Sequence, residues 1–565
     1  MRCSDLRHLS DSRYCFSLDE RRVLLRLAVA KGEKLSKVEV VYGDPMGFAR
    51  NHRYQKMTLA HTDVSFDYYE TIINAFPMRL MYVFLLGTDE GEFYYSETGL
   101  TSLYKFDLAF LSAYQYVGEN RNDFVIDKPS WQGRVFYQIF PERFAAGLPR
   151  EQKNYVNCPW DCTSLKGRHN AMLGGDLRGV IDKLDYLESL GVGVLYLTPI
   201  HPSLSNHKYD VLDYFDVDAR FGGKETFREL VQKAHEKGMK VMMDLVFNHC
   251  ASKNPIFLDV VQKGKASKYH SWFFIDGDKP HAHPLNYRCF GTYHGMPKFD
   301  TNNPEVQRYL ISVALYWQKE FGVDGYRLDV SEGVSHDFWI RLKIALKDVD
   351  PEVLLLGENW LNSESYLGPD QLDGVMNYPF LGVVSSYVLG IRDAKETAEG
   401  LEGLLMRYKD GHNRMMLNIL ASHDIQRFTT LCKDDKDLSL MGYALMTFFP
   451  GYPMIYYGEE IFMAGAGDPD NRRGMDWGSE EFGSLRNSLF LELLLLRKER
   501  ALRAGEVRIY ESSGALCIER IDKGARYLLV CNYRQGNVRV PGTILFGNHV
   551  AGDSVWEHGF AVTRI

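Results

Sequence analysis

Three acidic residues stand at the ends of three separate apolar runs. Asp329 closes GVDGYRLDV (322–330), Glu358 closes VLLLGEN (353–359) and Asp424 closes MMLNILASHD (415–424). The apolar residues in each run are continuous rather than alternating, which predicts short strands buried on both faces. A carboxylate at the C-terminal end of a buried parallel strand lies at the mouth of an α/β barrel, where such folds place their chemistry. One acid at a strand end is ordinarily a helix cap or a solvated loop residue. Three of them, with Arg327 two residues before one and His423 directly before another, call for a different explanation. The set can supply a nucleophilic carboxylate and a carboxyl that donates a proton.

The elements that would position these groups follow from the texture of the chain. Its 565 residues are too many for one core. Residues 1–125 alternate apolar and polar positions, as in VLLRLAVA (23–30), KVEVVYG (37–43), MRLMYVFLLG (78–87) and EFYYS (92–96), which predicts a β-sandwich. Residues 126–503 alternate buried strands with helical patterns. Eight strands are predicted at 135–140, 193–199, 240–246, 323–329, 353–358, 372–377, 416–422 and 453–458, with helices such as 179–191 and 224–238 between them. Eight βα repeats predict an α/β fold, a closed (β/α)8 TIM barrel. The interval 249–303 is too long for a βα loop and reads as an inserted subdomain after strand 3. Alternation returns over 504–565, which predicts a small C-terminal β-sandwich.

Composition narrows the function classes. A net charge of −8, with no basic patch, argues against nucleic acid or an anionic membrane as partner. No apolar run follows the first arginines and no stretch of 18 apolar residues occurs, so neither a signal peptide nor a membrane span is expected. Nine scattered cysteines, without a framework, fit reduced thiols and a cytoplasmic location. Cys158 and Cys162 are close in sequence but lack the second pair a zinc site needs. The 34 Tyr, 32 Phe and 8 Trp exceed what a core alone requires, and some are available to stack on sugar rings.

Several segments carry a resemblance. MDLVFNH (243–249), GYRLDV (325–330), GENW (357–360) and SHD (422–424) resemble the four signature segments of the α-amylase family of glycoside hydrolases. MPKFD (296–300), QLDGVMNYPF (371–380) and GYPMIYYGEEIFMAGAGDPDNRRGMDW (451–477) are similar to segments of its neopullulanase, cyclomaltodextrinase and maltogenic amylase branch. The N-terminal sandwich looks like the starch-binding-type module of that branch. The resemblance covers essentially the whole chain. It implies a retaining hydrolase of α-1,4-glucosidic bonds in cyclodextrins, maltodextrins or pullulan, acting on α-glucan oligosaccharides. A transglycosylase or an α-1,6-acting debranching enzyme on the same scaffold is the alternative, and a non-catalytic glucan-binding protein a remote one.

Glycosidic cleavage develops positive charge at the anomeric carbon and negative charge on the leaving oxygen, so one carboxylate attacks while one carboxyl donates a proton. Asp329 fits the nucleophile, with Arg327 on the same strand face expected to keep it ionised. Glu358 fits the acid and base, with Trp360 offering partial desolvation. Asp424 would hold sugar hydroxyls and strain the ring. By resemblance, His207, His249 and His423 hydrogen-bond the sugar in the cleavage subsite and Tyr209 stacks beneath it, while Asp468 and Arg472 grip the next sugar and Asp244 and Asn248 stabilise the barrel mouth.

Two departures from the branch stand out. A calcium-binding loop is usual after the first strand; here the stretch reads RFAAGLPREQKN (143–154), with Ala146, Leu148, Glu151 and Gln152 where oxygen ligands are expected, although Gly174 and Asp176 survive. A second family calcium site uses a carbonyl at the position of Gly333. No cofactor or metal is therefore expected. The other departure is SEG (331–333) where the branch has Ala-Asn-Glu lining the acceptor subsites, which bears on the ratio of hydrolysis to transfer. The resemblance also implies a homodimer, with the N-terminal sandwich of one subunit covering the cleft of the other.

Overall fold

The computed structural model describes residues 2–75, 78–125, 128–533 and 536–565. The chain divides into two compact units, one comprising residues 1–127, 392–414 and 509–512, the other the remainder. The sequence boundary at 125/126 abuts residues 126–127, which lie outside the described residues.

The first unit contains two antiparallel sheets. One pairs Arg22–Ala30 with Phe66–Asn74, and the other pairs Lys37–Gly43 with Arg79–Thr88. Their inward side chains, among them Leu25, Leu27, Val40, Tyr82 and Phe84, form a shared core. The helix Ala394–Leu405 belongs to this unit although it lies far along the chain. Buried ionic contacts join it: Arg26, 1% exposed, bonds Glu70 at 2.5 Å and Asp410 at 3.1 Å, and His61 Nδ1 meets Glu402 at 2.5 Å.

The second unit is built on a closed parallel barrel of Val135–Ile139, Val192–Leu197, Lys240–Leu245, Gly325–Leu328, Leu354–Gly357, Gly374–Asn377, Leu417–Asn418 and Tyr452–Tyr456. All eight strands match the predicted runs, because a strand wrapped by helices outside and packed side chains inside tolerates few polar residues. Two details differ from a regular eightfold repeat. Residues 358–373, joining strands five and six, hold a 3-10 turn at Glu364–Tyr366 and no α-helix; Gly368 and Pro369 break the short span. The seventh strand pairs only at Leu417–Asn418. Beyond it the carbonyls of Ser422, His423 and Ile425 are taken by Asn471 Nδ2, at 3.1, 2.9 and 2.7 Å, instead of a strand ladder.

The insertion after strand three carries the helix Pro255–Lys263 and the paired strands Cys289–Phe290 and Tyr293–Pro297. The C-terminal strands Ala515–Asp522, Ala525–Asn532, Asn537–Arg539, Thr543–Ala551 and Ser554–Arg564 belong to one hydrogen-bonded sheet rather than two. Its strands share a core of Ala515, Leu528, Val538 and Val555. No disulfide joins any of the nine cysteines, all of which lie among the described residues. No described helix is long and apolar enough to cross a membrane.

Candidate active site

Asp329 and Glu358 each stand one residue beyond a barrel strand, so both carboxyls project at the C-terminal mouth. Arg327, fully buried on the fourth strand, bridges them. Its Nη1 lies 3.0 Å from Asp329 Oδ1 and its Nη2 lies 2.8 Å from Glu358 Oε2. The same Nη1 bonds both oxygens of Asp244, on the third strand, at 2.9 Å. Between the two mouth carboxylates Val330 adopts a left-handed backbone (φ 45°, ψ 51°), unusual for a β-branched residue. That turn sends its N–H to Glu358 Oε2 at 3.0 Å. Asp329 Oδ2 is buried and has no hydrogen-bond partner among the described residues.

Arg327 favours the ionised form of Asp329, as expected, but it does not act alone. Burial pushes the Asp329 carboxyl well above its ordinary value, and the guanidinium only opposes this. Arg327 serves three carboxylates at once, while Glu358, Asp244 and Asp424 repel further charge on Asp329. Burial likewise raises Asp244 to about 6 and raises Asp424.

A chain of hydrogen bonds runs across the mouth from the first strand. Gln138 Nε2 donates to His423 Nδ1 at 3.0 Å, leaving His423 Nε2–H to face the Tyr209 hydroxyl at 2.6 Å and Asp424 Oδ2 at 3.1 Å. Tyr209 donates in turn to Asp244 Oδ2 at 2.9 Å, and Tyr196 joins the same oxygen at 3.0 Å. The Tyr209 ring is nearly parallel to His423, at 5.4 Å, and stacks with His207 at 5.9 Å. Burial lowers His207 to about 4 and His249 to about 3, and holds His423 well below the usual imidazole range. All three are therefore neutral at pH 7, suited to hydrogen-bonding hydroxyls rather than to binding anions. His249 sits beside Asn248, Nδ1 to Nδ2 3.1 Å, and its Nε2 is buried without a partner among the described residues.

On the other rim Arg472 joins Asp468 at 2.9 Å and Asp424 at 3.5 Å, and its Nε donates to the His423 carbonyl at 2.7 Å. Trp360 lies beside Glu358. Its indole N–H faces Glu358 Oε1 at 3.3 Å, and its ring face lies on Tyr378 at 3.9 Å and 11°. The tryptophan is 43% exposed, so it presents an aromatic surface to solvent beside the buried carboxyl.

Every expected mouth residue thus lies on a loop or strand end of the same barrel face. Sequence reasoning missed Gln138, Tyr196, Tyr378 and Asn471. Gln138 carried a signal, as a lone amide inside the otherwise apolar VFYQIF (135–140). Lysines occupy both positions compared with the family's calcium sites: Lys298 Nζ reaches the Gly333 carbonyl at 2.5 Å and also bonds Asn248 Oδ1, and Lys153 Nζ reaches the Gly174 carbonyl at 2.5 Å.

Comparison with known proteins agrees with this geometry. Residues 138–486 match the model of the alpha amylase catalytic domain, and residues 1–117 match that of the alpha amylase N-terminal ig-like domain. The chain is 38% identical over 535 residues to a cyclomaltodextrinase of Thermoanaerobacter pseudethanolicus, covering 93% of this chain and 91% of that protein. It is 38% identical over 513 residues to neopullulanase 2 of Thermoactinomyces vulgaris, covering 89% and 86%. A solved cyclomaltodextrinase structure superposes over 100% of both chains with a TM-score of 0.90 at 31% identity. A barrel mouth of bridged carboxylates and neutral imidazoles, together with likeness along nearly the whole chain, places this protein in the alpha-amylase family of glycoside hydrolases.

Proposed function

We propose that the protein hydrolyses α-1,4-glucosidic bonds of cyclodextrins, short maltodextrins or pullulan with retention of configuration, using Asp329, Glu358 and Asp424. The observation that carries this reading is the shared guanidinium. Arg327 holds one oxygen of Asp329 and one of Glu358, and leaves Asp329 Oδ2 free to attack. Asp329 Oδ2 forms a bond to the anomeric carbon while Glu358 gives its proton to the departing glycosidic oxygen. Glu358, now a carboxylate, takes a proton from water, whose oxygen displaces Asp329 and restores both groups. Asp424, His207, His249 and His423 hold hydroxyls of the sugar undergoing cleavage, with Asp468 and Arg472 at the next one, Tyr209 beneath the ring, and the exposed Trp360, backed by the buried Tyr378, as a platform on the acceptor side. The chemistry needs no cofactor.

Incubation with β-cyclodextrin, pullulan and starch, followed by chromatography, tests the substrate class; cleavage of none of the three refutes the reading. Freshly released sugar is expected to carry the α configuration in proton NMR. Two carboxylates held by one guanidinium suit the spacing of about 5–5.5 Å of a covalent mechanism better than the wider gap that admits a direct water. An initial β-anomer would exclude Asp329 as nucleophile.

A homodimer in the cytoplasm is part of this proposal. Nine cysteines with no disulfide among them favour a reducing compartment. Leu103, Phe110 and Leu111 of the N-terminal module are 72%, 63% and 67% exposed, which suits an interface. Light scattering is expected to report a dimer. Deletion of residues 1–125 is expected to lower the ratio of cyclodextrin to starch hydrolysis, since a capped cleft admits small rings but not a branched polymer. The same deletion strips Glu402 of His61 and Asp410 of Arg26, so reduced solubility is expected. A strict monomer with an unchanged substrate ratio would dispose of the capping idea.

A further inference from the structure

We infer that the Lys153 ammonium serves as a built-in cation in the loop after the first barrel strand, in the place of a bound divalent metal. Its Nζ lies 2.5 Å from the Gly174 carbonyl and 2.6 Å from Asp176 Oδ2, and the two side chains are 7% and 3% exposed. These are the two oxygen donors of the loop that survive in the sequence. The other donors a hard cation would need are missing. Ala146 and Leu148 have no side-chain oxygen, and Glu151 and Gln152 are exposed. A hard divalent ion requires about six to eight oxygens, whereas an ammonium has three N–H donors and is satisfied by far fewer. One lysine charge also matches one buried carboxylate. The donor set therefore fits an ammonium and not calcium.

The rest of the loop is organised around this cation. Asp176 caps the helix Leu177–Asp182, its Oδ1 accepting from the N–H groups of Gly179 at 2.7 Å and Gly147 at 3.0 Å. Lys153 thereby ties the start of that helix to the loop preceding it. Arg150, one turn earlier, bonds the Leu173 carbonyl at 2.5 Å and the Cys158 carbonyl at 2.7 Å. Two side-chain cations thus hold the consecutive carbonyls 173 and 174. The strap continues toward the sugar site, because the Ala171 carbonyl accepts from Asn206 Nδ2 at 2.8 Å. Asn206 directly precedes His207, whose Nδ1 accepts from the Tyr209 N–H at 3.1 Å. Removing Lys153 leaves Asp176 buried beside an unpaired carbonyl and loosens the support of His207.

The test is independent of which glucan is cleaved. Wild-type protein purified in calcium is expected to hold no stoichiometric metal by elemental analysis and to keep its melting temperature in chelator. Lys153→Ala is expected to melt several degrees lower, and propylammonium is expected to recover part of the loss. Calcium alone is expected to restore less, and Lys395→Ala, at an exposed position, is expected to show neither effect. KM should rise more than kcat falls in Lys153→Ala. If that variant fails to fold, its refolding yield with and without propylammonium gives the same readout. About one calcium per wild-type chain with a melting point lost in chelator, an unaltered melting point in Lys153→Ala, or a loss that propylammonium does not reverse would each overturn the inference.

Discussion

Asp329→Asn is expected to lower kcat/KM on β-cyclodextrin by a factor on the order of 10⁴ to 10⁶, as for removal of an enzymic nucleophile, while the protein melts higher than wild type at neutral pH. The loss follows from replacing a buried carboxylate oxygen, without a hydrogen-bond partner among the described residues, with an amide that cannot form the glycosyl ester. The gain in stability follows from burial. The Asp329 carboxyl has a higher pKa in the folded chain than in the unfolded one, so the folded state binds its proton more tightly. Wild type therefore loses stability as the pH rises from the ordinary aspartate range through the raised value, and the asparagine variant does not. The difference in melting temperature should grow as the pH rises through the raised value and vanish below about pH 4, near the unperturbed aspartate value, where both chains are neutral at this position. By the same shift, the acid limb of kcat/KM in wild type should lie above the ordinary carboxylate range. Activity within tenfold of wild type would sink the assignment of Asp329, and a lower melting point at every pH would sink the account of its burial.

Glu358→Gln is expected to cost 10² to 10⁴ in rate on natural glucans, the usual scale of general acid catalysis. A glycosyl fluoride should be partly spared in the first step, because fluoride leaves without full protonation. Deacylation should remain slow for both substrates, since glutamine cannot take the proton of water, and a burst of fluoride equal to the enzyme concentration is the expected signature. Glutamine keeps one carbonyl oxygen for the Arg327 Nη2 contact, 2.8 Å in wild type, and for the Val330 N–H, 3.0 Å, so the mouth should hold its shape. Equal loss on both kinds of substrate in the glycosylation step would mean that Glu358 is not the acid.

The two carboxylates are coupled through Arg327, and this bears on how variants of the arginine should be read. Its guanidinium is fully buried, hydrogen-bonded to Asp244 and Asp329 and ion-paired with Glu358. Removing it would leave three acids facing one another in a low-dielectric site, where unpaired buried charge costs several kcal/mol. A loss of activity in such a variant reports collapse of the charge balance rather than one contact.

Much of this protein is determined by sequence alone. Buried parallel strands write themselves as continuous apolar runs, so all eight barrel strands and the acids that end three of them were legible residue by residue. In the N-terminal module Arg22–Ala30 and Arg79–Thr88 are buried along nearly their whole length and read as mainly apolar runs, whereas Lys37–Gly43 keeps half-buried positions between buried ones. What only the tertiary structure decided are contacts between residues far apart in the chain. Gln138 bonding His423, Trp360 lying on Tyr378 and Asn471 collecting the carbonyls of 422, 423 and 425 have no local signature. The helix Ala394–Leu405 looks like an ordinary barrel helix in sequence, and its place in the N-terminal unit rests on ion pairs spanning more than 300 residues, such as His61 with Glu402. The charge state of Asp329 likewise depends on how many carboxylates share one arginine and how little water reaches them. Composition states which groups exist; only closure of the barrel sets their distances, and both Coulomb interaction and desolvation vary steeply with distance and burial.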